Sequence, residues 1–251
     1  MFARTTGRLF TGTFKALFGD FDGFVRIVWA WYALVAVLAA LGQLVGGESP
    51  VVAAVVTLVW LCSSASIAVA WHRNLLLGER PAAFNLTFGR REIAYLLKTL
   101  LIALIVAVPA LVLITLASAL VTVGVVALSA LVVLAVFLVL PPIMRLCLVL
   151  PATALDEPLG FGEAFSRSAG LGVPMALAGV ATGLCVGALD LGLAQLAGLL
   201  GGGAAFGAIA VFILSLGLQI AMTALQIGIL TGGYYILRER QMAPPAHTPP
   251  D

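Results

Sequence analysis

The sequence predicts an all-α fold: a polytopic membrane protein with six transmembrane helices, paired as three helical hairpins, and amphipathic interfacial helices on the cytoplasmic side. Three observations predict it. Of 251 residues, 62% are hydrophobic and only 10% charged, and the mean hydropathy is +1.16. A folded chain of this size exposes a large outer shell, and water cannot be the solvent for a shell so apolar. The apolar residues fall into six runs, each long enough to cross a bilayer. All thirteen basic residues fall toward the same side of these runs.

The runs lie near 24–45, 50–71, 93–118, 122–145, 171–199 and 204–237. The first suits a span better than a cleavable signal sequence. Residues 100–144 carry no charge and are too long for one helix, so a turn is expected where Ser, Thr and Gly cluster at 118–124. Pro109 should kink the third span. Pro141 and Pro142 should break the fourth.

Arg4, Arg8, Lys15 and Arg26 precede or open the first span. Arg73, Arg80, Arg90, Arg91 and Lys98 separate the second from the third, Arg145 and Arg167 the fourth from the fifth, and Arg238 and Arg240 follow the sixth. The opposite turns, near 46–50, 118–124 and 200–203, have no basic residue. By the positive-inside rule the basic side is cytoplasmic, which places both termini in the cytoplasm. Trp29, Trp31, Tyr32, Trp71, Tyr95, Tyr234 and Tyr235 should form an aromatic belt there; Trp60 lies away from it.

A threefold repeat is legible. Phe14 and Phe18, Phe84 and Phe88, and Phe161 and Phe165 each stand four apart, before a small residue and a pair of spans. Phe residues at i and i+4 share a helix face, which suits a helix lying among headgroups. In the first copy the stripe runs through Phe10, Phe14, Leu17 and Phe21. The units are 10–73, 81–147 and 158–238 of a single domain, 1–240. A disordered Pro-rich tail, 241–251, completes the chain.

Each unit ends on an arginine: Arg73, Arg145 and Arg238. The plainer reading is snorkelling to the headgroups. The sharper one is a cationic ring for a lipid phosphate or another anion. Asp190 and Gln195, near the outer end of span five, and Gln219 and Gln226 in span six are the candidates for an intramembrane polar path. The plainer alternatives are a solvated helix end for Asp190 and interhelical hydrogen bonds for the glutamines. Ser63, Ser64 and Ser66 should bond to backbone or pack. Gly179, Gly183 and Gly187 repeat the GxxxG spacing of close helix packing, as do Ala224, Gly228 and Gly232 more loosely.

No catalytic set is assembled. His72 sits at a span end and His247 in the tail, and there is no HExxH, CxxC or P-loop. Cys62, Cys147 and Cys185 lie in apolar runs and read as packing residues. Glu79, Asp156, Glu157 and Glu163 read as solvated or helix-starting acids, with Glu163 and Arg167 an i,i+4 pair. No metal site and no cofactor are expected. The partners expected are membrane lipids and a membrane-protein partner or second copy, not nucleic acid.

Trp71-His72-Arg73 with Gly78-Glu79-Arg80-Pro81, the run from Arg145 through Pro151 to Asp156-Glu157-Pro158, Glu163-Ala164-Phe165-Ser166-Arg167, and Gly233-Tyr234-Tyr235 carry a resemblance over most of the chain. It resembles the YciC-like bacterial inner-membrane proteins and the membrane domain associated with some glycerophosphodiester phosphodiesterases. The resemblance implies a six-span membrane protein and supplies no catalytic residues; no phosphodiesterase domain is present in these 251 residues. Two functions follow as expectations: a non-enzymatic component that organises lipid or a partner, and alternatively a transporter or transporter subunit with a polar path through the bundle.

Overall fold

A computed structural model describes residues 2–44, 49–121, 123–199 and 205–242. The expected turns at 46–48 and 200–203 and the tail at 243–251, with His247, lie outside the described residues. The described chain is helical with no strand. Six of its helical stretches are long and apolar enough to cross a membrane: Phe21–Gly42, Pro50–Leu77, Arg90–Leu120, Val125–Ala154, Gly172–Leu196 and Leu214–Met242. These correspond one to one with the runs read from the sequence.

α1 (Phe2–Gly19) leads almost directly into α2 (Phe21–Leu44). α3 (Pro50–Leu77) has proline in its first turn, where no intrahelical donor is required, and ends on Gly78 at φ 68°. That left-handed residue turns its amide back onto Asn74 O at 3.0 Å. α4 (Arg90–Leu120) starts at Gly89, whose amide donates to the Glu92 carboxylate at 2.7 Å. It stays helical through Pro109. The turn expected at 118–124 is there, and Gly124 takes it at φ 116°.

The fourth apolar stretch does not break at its proline pair. α5 (Val125–Leu134) passes into a π-helical turn, Ala135–Val139, and then α6 (Leu140–Leu146), with the prolines in the first turn of α6. A π turn inserts one residue, so the hydrogen-bond ladder is re-registered just where the two missing N–H groups would otherwise leave gaps. α7 (Val149–Ala154) follows, then α8 (Phe161–Arg167), α9 (Gly172–Leu199) and α10 (Ala205–Met242).

α2 packs on α3, α9 on α10, and α3 on both α4 and α10, while α6 packs on α9 and α7 on α4. The fully buried side chains Trp71, Leu148, Met175, Ile229 and Leu237 lie toward the arginine-rich end. Over the most apolar 18 residues of each stretch, only 6% of α4 and 6% of the fourth stretch is buried, against 28–39% for the other four. The apolar middles of α4 and of α5 therefore stand at the periphery, with Leu104, Val108 and Leu111 outward, while α7 is buried throughout.

The Phe-rich copies differ from one another. The first is helical, but α1 leans on α9 and α10 through Leu9, Thr13 and Leu17, while Phe18 and Phe21 point outward. The buried stripe thus shares Leu17 with the expected one, while Leu9 and Thr13 take the places of Phe10 and Phe14, which are only partly buried. The second copy, Phe84 to Phe88, is irregular chain. Pro81 lacks a donor, Thr87 Oγ1 donates locally to Asn85 Oδ1 at 3.2 Å, and the Trp29 indole holds Ala83 O at 2.8 Å. Only the third, α8, is again a helix. The belt also differs from expectation: Trp31, Trp71, Tyr95 and Tyr234 are buried in the core, whereas Trp29 and Tyr235 are exposed.

A charged hub at the basic end of the bundle

The turn after α7 draws the basic end together. Its backbone closes in a Schellman-like pattern, with Glu157 N donating to Ala152 O at 2.9 Å and Asp156 N to Thr153 O at 3.1 Å. Asp156 occupies the left-handed position at φ 59°, the one non-glycine residue with positive φ among those described. Asp tolerates this conformation better than most residues.

Three helices reach this turn. From α3, Arg73 Nη1 donates to Ala154 O at 3.0 Å, lies 3.8 Å from Asp156 Oδ2, and is paired with Glu79. From α4, Arg91 Nε donates to Asp156 Oδ1 and Oδ2 at 3.1 and 3.0 Å. Two turns further along the same face of α4, Lys98 Nζ donates to Thr153 Oγ1 at 2.8 Å. From α10, the Tyr234 hydroxyl donates to Glu157, and Arg238 Nη1 lies 3.5 Å from Glu157 Oε1. The guanidinium of Arg91 beside Asp156 holds its carboxyl below the usual range, and Arg73 does the same to Glu79.

Of the three repeat arginines, then, Arg73 and Arg238 converge on one turn through neighbouring acids. Arg145 goes elsewhere: it donates to Phe165 O and to Ser168 Oγ (3.3 Å), with its guanidinium 3.8 Å over the Phe165 ring. The three guanidinium groups do not make one ring, because each is occupied by carboxylates, carbonyls or a ring face of the protein. Glu163 pairs with Arg167 at i,i+4 as the spacing predicts.

Beneath the hub lies a polar cluster that sequence reasoning placed at a span end. His72 is fully buried. Its Nδ1 is 2.8 Å from Thr231 Oγ1, and its Nε2 is 3.4 Å from the Tyr95 hydroxyl. The signal was present in Trp71-His72-Arg73, but the partners lie on two other helices.

The intramembrane candidates do not form a buried polar cluster. Asp190, Gln195 and Gln219 are exposed. Gln226 is half-buried and its Nε2 donates to Gly179 O at 3.4 Å, an interhelical bond between α9 and α10. Ser63 and Ser64 bond back to Trp60 O at 2.7 and 2.9 Å, while Ser66 accepts from the Trp31 indole at 3.0 Å. Of the glycine stripe, a Cβ at Gly179 would meet Met144 and Gln226, one at Gly183 would meet Met222, and one at Gly187 would meet nothing within 4 Å. On α10, Gly228 and Gly232 receive Thr13 and Leu9 of α1, and a Cβ at Gly228 would overlap Thr13. Among the described residues, no three of His, Cys, Asp and Glu are grouped to hold a metal ion. Cys62, Cys147 and Cys185 are free thiols.

No family model, no curated protein and no solved structure matches the chain.

Proposed function

We propose that this chain is a multi-pass protein of the bacterial inner membrane, with both termini cytoplasmic, that organises lipid or a membrane partner without catalysing a reaction. The orientation rests on the one-sided placement of Lys and Arg. The three-hairpin reading is supported by the packing of α2 on α3 and α9 on α10. The resemblance to YciC-like membrane proteins agrees with the same architecture.

The observation that carries the functional reading is where the charges go. The acids of the 153–157 turn are tied to three helices by Arg73, Arg91 and Arg238, so the hub works as a clasp at the membrane surface. Asp190, Gln195 and Gln219 lie on exposed faces, which favours an organiser over a transporter with a continuous polar path. The test is a chain with Asp190→Leu, Gln219→Leu and Gln226→Leu together, expressed in a strain lacking the gene. Restoration of the wild-type phenotype is the expected result. A chain that reaches the membrane with normal thermal stability yet fails to restore the phenotype points to transport and overturns the reading.

A further inference from the structure

The cleft beside the hub holds unspent positive charge. It encloses about 700 Å³ and is lined by Arg90, Arg91 and Lys98 with Glu92, Thr153 and Asp156. Its acids are already engaged: Glu92 caps Gly89 N, Asp156 pairs with Arg91 and Arg73, and Glu157 at the rim pairs with Arg238. Arg90 and Lys98 have no carboxylate partner among the described residues. Thr153 Oγ1 donates its own proton to Val149 O at 2.6 Å, so it accepts from Lys98. An ammonium has three donors, and that contact uses one of them.

The same seam continues into the apolar layer. α4 packs on α7 at the cleft and on α5 and α6 deeper in. There an apolar groove of about 240 Å³ runs between Val106, Ala110 and Leu113 of α4 and Ala135, Val139 and Ile143 opposite. Alanine on both walls, one of which is the π turn Ala135–Val139, leaves the groove unfilled. From Lys98 to Val106 is eight residues, and to Leu113 fifteen, or ~12 to ~22 Å along the helix. That brackets the ~15 Å depth of one leaflet's hydrocarbon.

We propose that the α4/α5–α7 seam is a binding site for one anionic glycerophospholipid, with its phosphate at Lys98 and Arg90 and an acyl chain in the Val106–Ala135 groove. A phosphate supplies the acceptors that Lys98 lacks, and the groove gives the tail a wall with matching apolar chemistry. The Lys98 and Arg90 cations at the head of the seam match an apolar chain that carries an anionic headgroup, which an apolar helix would not supply. This site rests on the lipid-organising reading and gives it a ligand class and a location.

The test is native mass spectrometry of the full chain in detergent, titrated with palmitoyl-oleoyl phosphatidylglycerol or the phosphatidylcholine of the same chains. Wild type should retain one phosphatidylglycerol and prefer it to phosphatidylcholine. Lys98→Gln should weaken retention by about tenfold, as expected for loss of a charged hydrogen-bond donor, and Lys98→Arg should preserve it. Ala110→Phe, remote from the charge, should weaken it by filling the groove. The site is overturned if Lys98→Gln or Ala110→Phe binds as wild type does, or if Lys15→Gln on exposed α1 weakens retention equally. Displacement of the lipid by millimolar inorganic phosphate would assign the cleft to a soluble anion and also overturn it. None of these outcomes touches the complementation experiment, so the two readings fail separately.

Discussion

His72 and Thr231, 159 residues apart in the chain, meet with Nδ1 and Oγ1 2.8 Å apart and both side chains buried. The direction of the bond follows from the neighbours. Thr231 Oγ1 lies 2.8 Å from Ile227 O and donates to it, so it accepts from His72 Nδ1–H. That leaves Nε2 to accept from the Tyr95 hydroxyl at 3.4 Å. The imidazole thus joins α3, α10 and α4 in one chain of bonds.

Removing the acceptor alone should cost more than removing both partners. Thr231→Val leaves a buried N–H with no acceptor and should destabilise the protein by about 1–2 kcal/mol. In a His72→Leu background the same change should cost much less, because no donor is left stranded. Thr231→Ser should be close to wild type. Thermal unfolding followed by tryptophan fluorescence in detergent reads all four variants. Equal costs of Thr231→Val in the two backgrounds would show that the bond contributes nothing.

Asp156 combines a left-handed backbone with two ion pairs, and substitutions separate them. Asp156→Asn keeps tolerance of φ 59° and loses only charge; at 58% side-chain exposure the loss should be about 0.5 kcal/mol. Asp156→Ala loses the charge and adds a left-handed penalty of about 1–2 kcal/mol. The order of melting temperatures should be wild type, then Asn, then Ala. Gly falling below Ala would contradict the backbone argument.

The pH dependence of the same pairs has a definite sign. Asp156 and Glu79 both have folded-state pKa values lowered by arginine partners. Their contribution is complete above the unfolded values, near 4, and is lost as pH falls through the folded ones. The hub should therefore be indifferent to pH between about 5 and 8 and loosen below about 4. A chain with Asp156→Asn and Glu79→Gln should show a smaller acid-induced fall in melting temperature. An equal fall would place the acid sensitivity in other groups.

The six apolar stretches were legible because hydrocarbon imposes a length and a charge rule on each segment separately. The turn at Gly124 was legible for the same local reason. What stayed hidden depends on pairs far apart in the chain. Phe10, Phe14, Leu17 and Phe21 advertise an apolar stripe, yet of these α1 buries only Leu17, together with Leu9 and Thr13, because Gly228 and Gly232 offer a groove that fits the smaller face. Trp31 and Trp71 read as belt residues, and only packing on α2–α3 and the acceptor at Ser66 turn them inward. Pro141 and Pro142 read as a break because a π turn has no signature in periodicity.

The groove for α1 can be closed. Thr13 Oγ1 donates to Leu225 O at 3.0 Å, and a Cβ at Gly228 would overlap that hydroxyl. Gly228→Ala should push α1 off α10 and expose its arginines to trypsin, with cleavage at Arg8 accelerated severalfold. Adding Thr13→Ala removes the overlapping oxygen and leaves a tight 3.2 Å contact with the former Thr13 Cβ, so it should restore protection in large part. Unchanged cleavage of Gly228→Ala would mean that α1 is not held in this groove.

The glycine stripe of α9 makes a graded prediction. A leucine at Gly179 must displace Met144, 3.4 Å from the added Cβ, and Gln226, which holds Gly179 O; overpacking of this kind costs about 1–3 kcal/mol. At Gly183 the neighbour is the end of the Met222 side chain, 3.6 Å away, which can move. At Gly187 nothing lies within 4 Å, so Gly187→Leu should change stability by less than about 0.5 kcal/mol. Thermal unfolding should rank the variants Gly179, Gly183, Gly187 from most to least damaging. Light scattering in detergent should show no change of mass for Gly187→Leu. A fall in mass there would mean that the outer part of the stripe serves a second copy of the chain, while a reversed ranking would mean that α9 meets α10 on a different face.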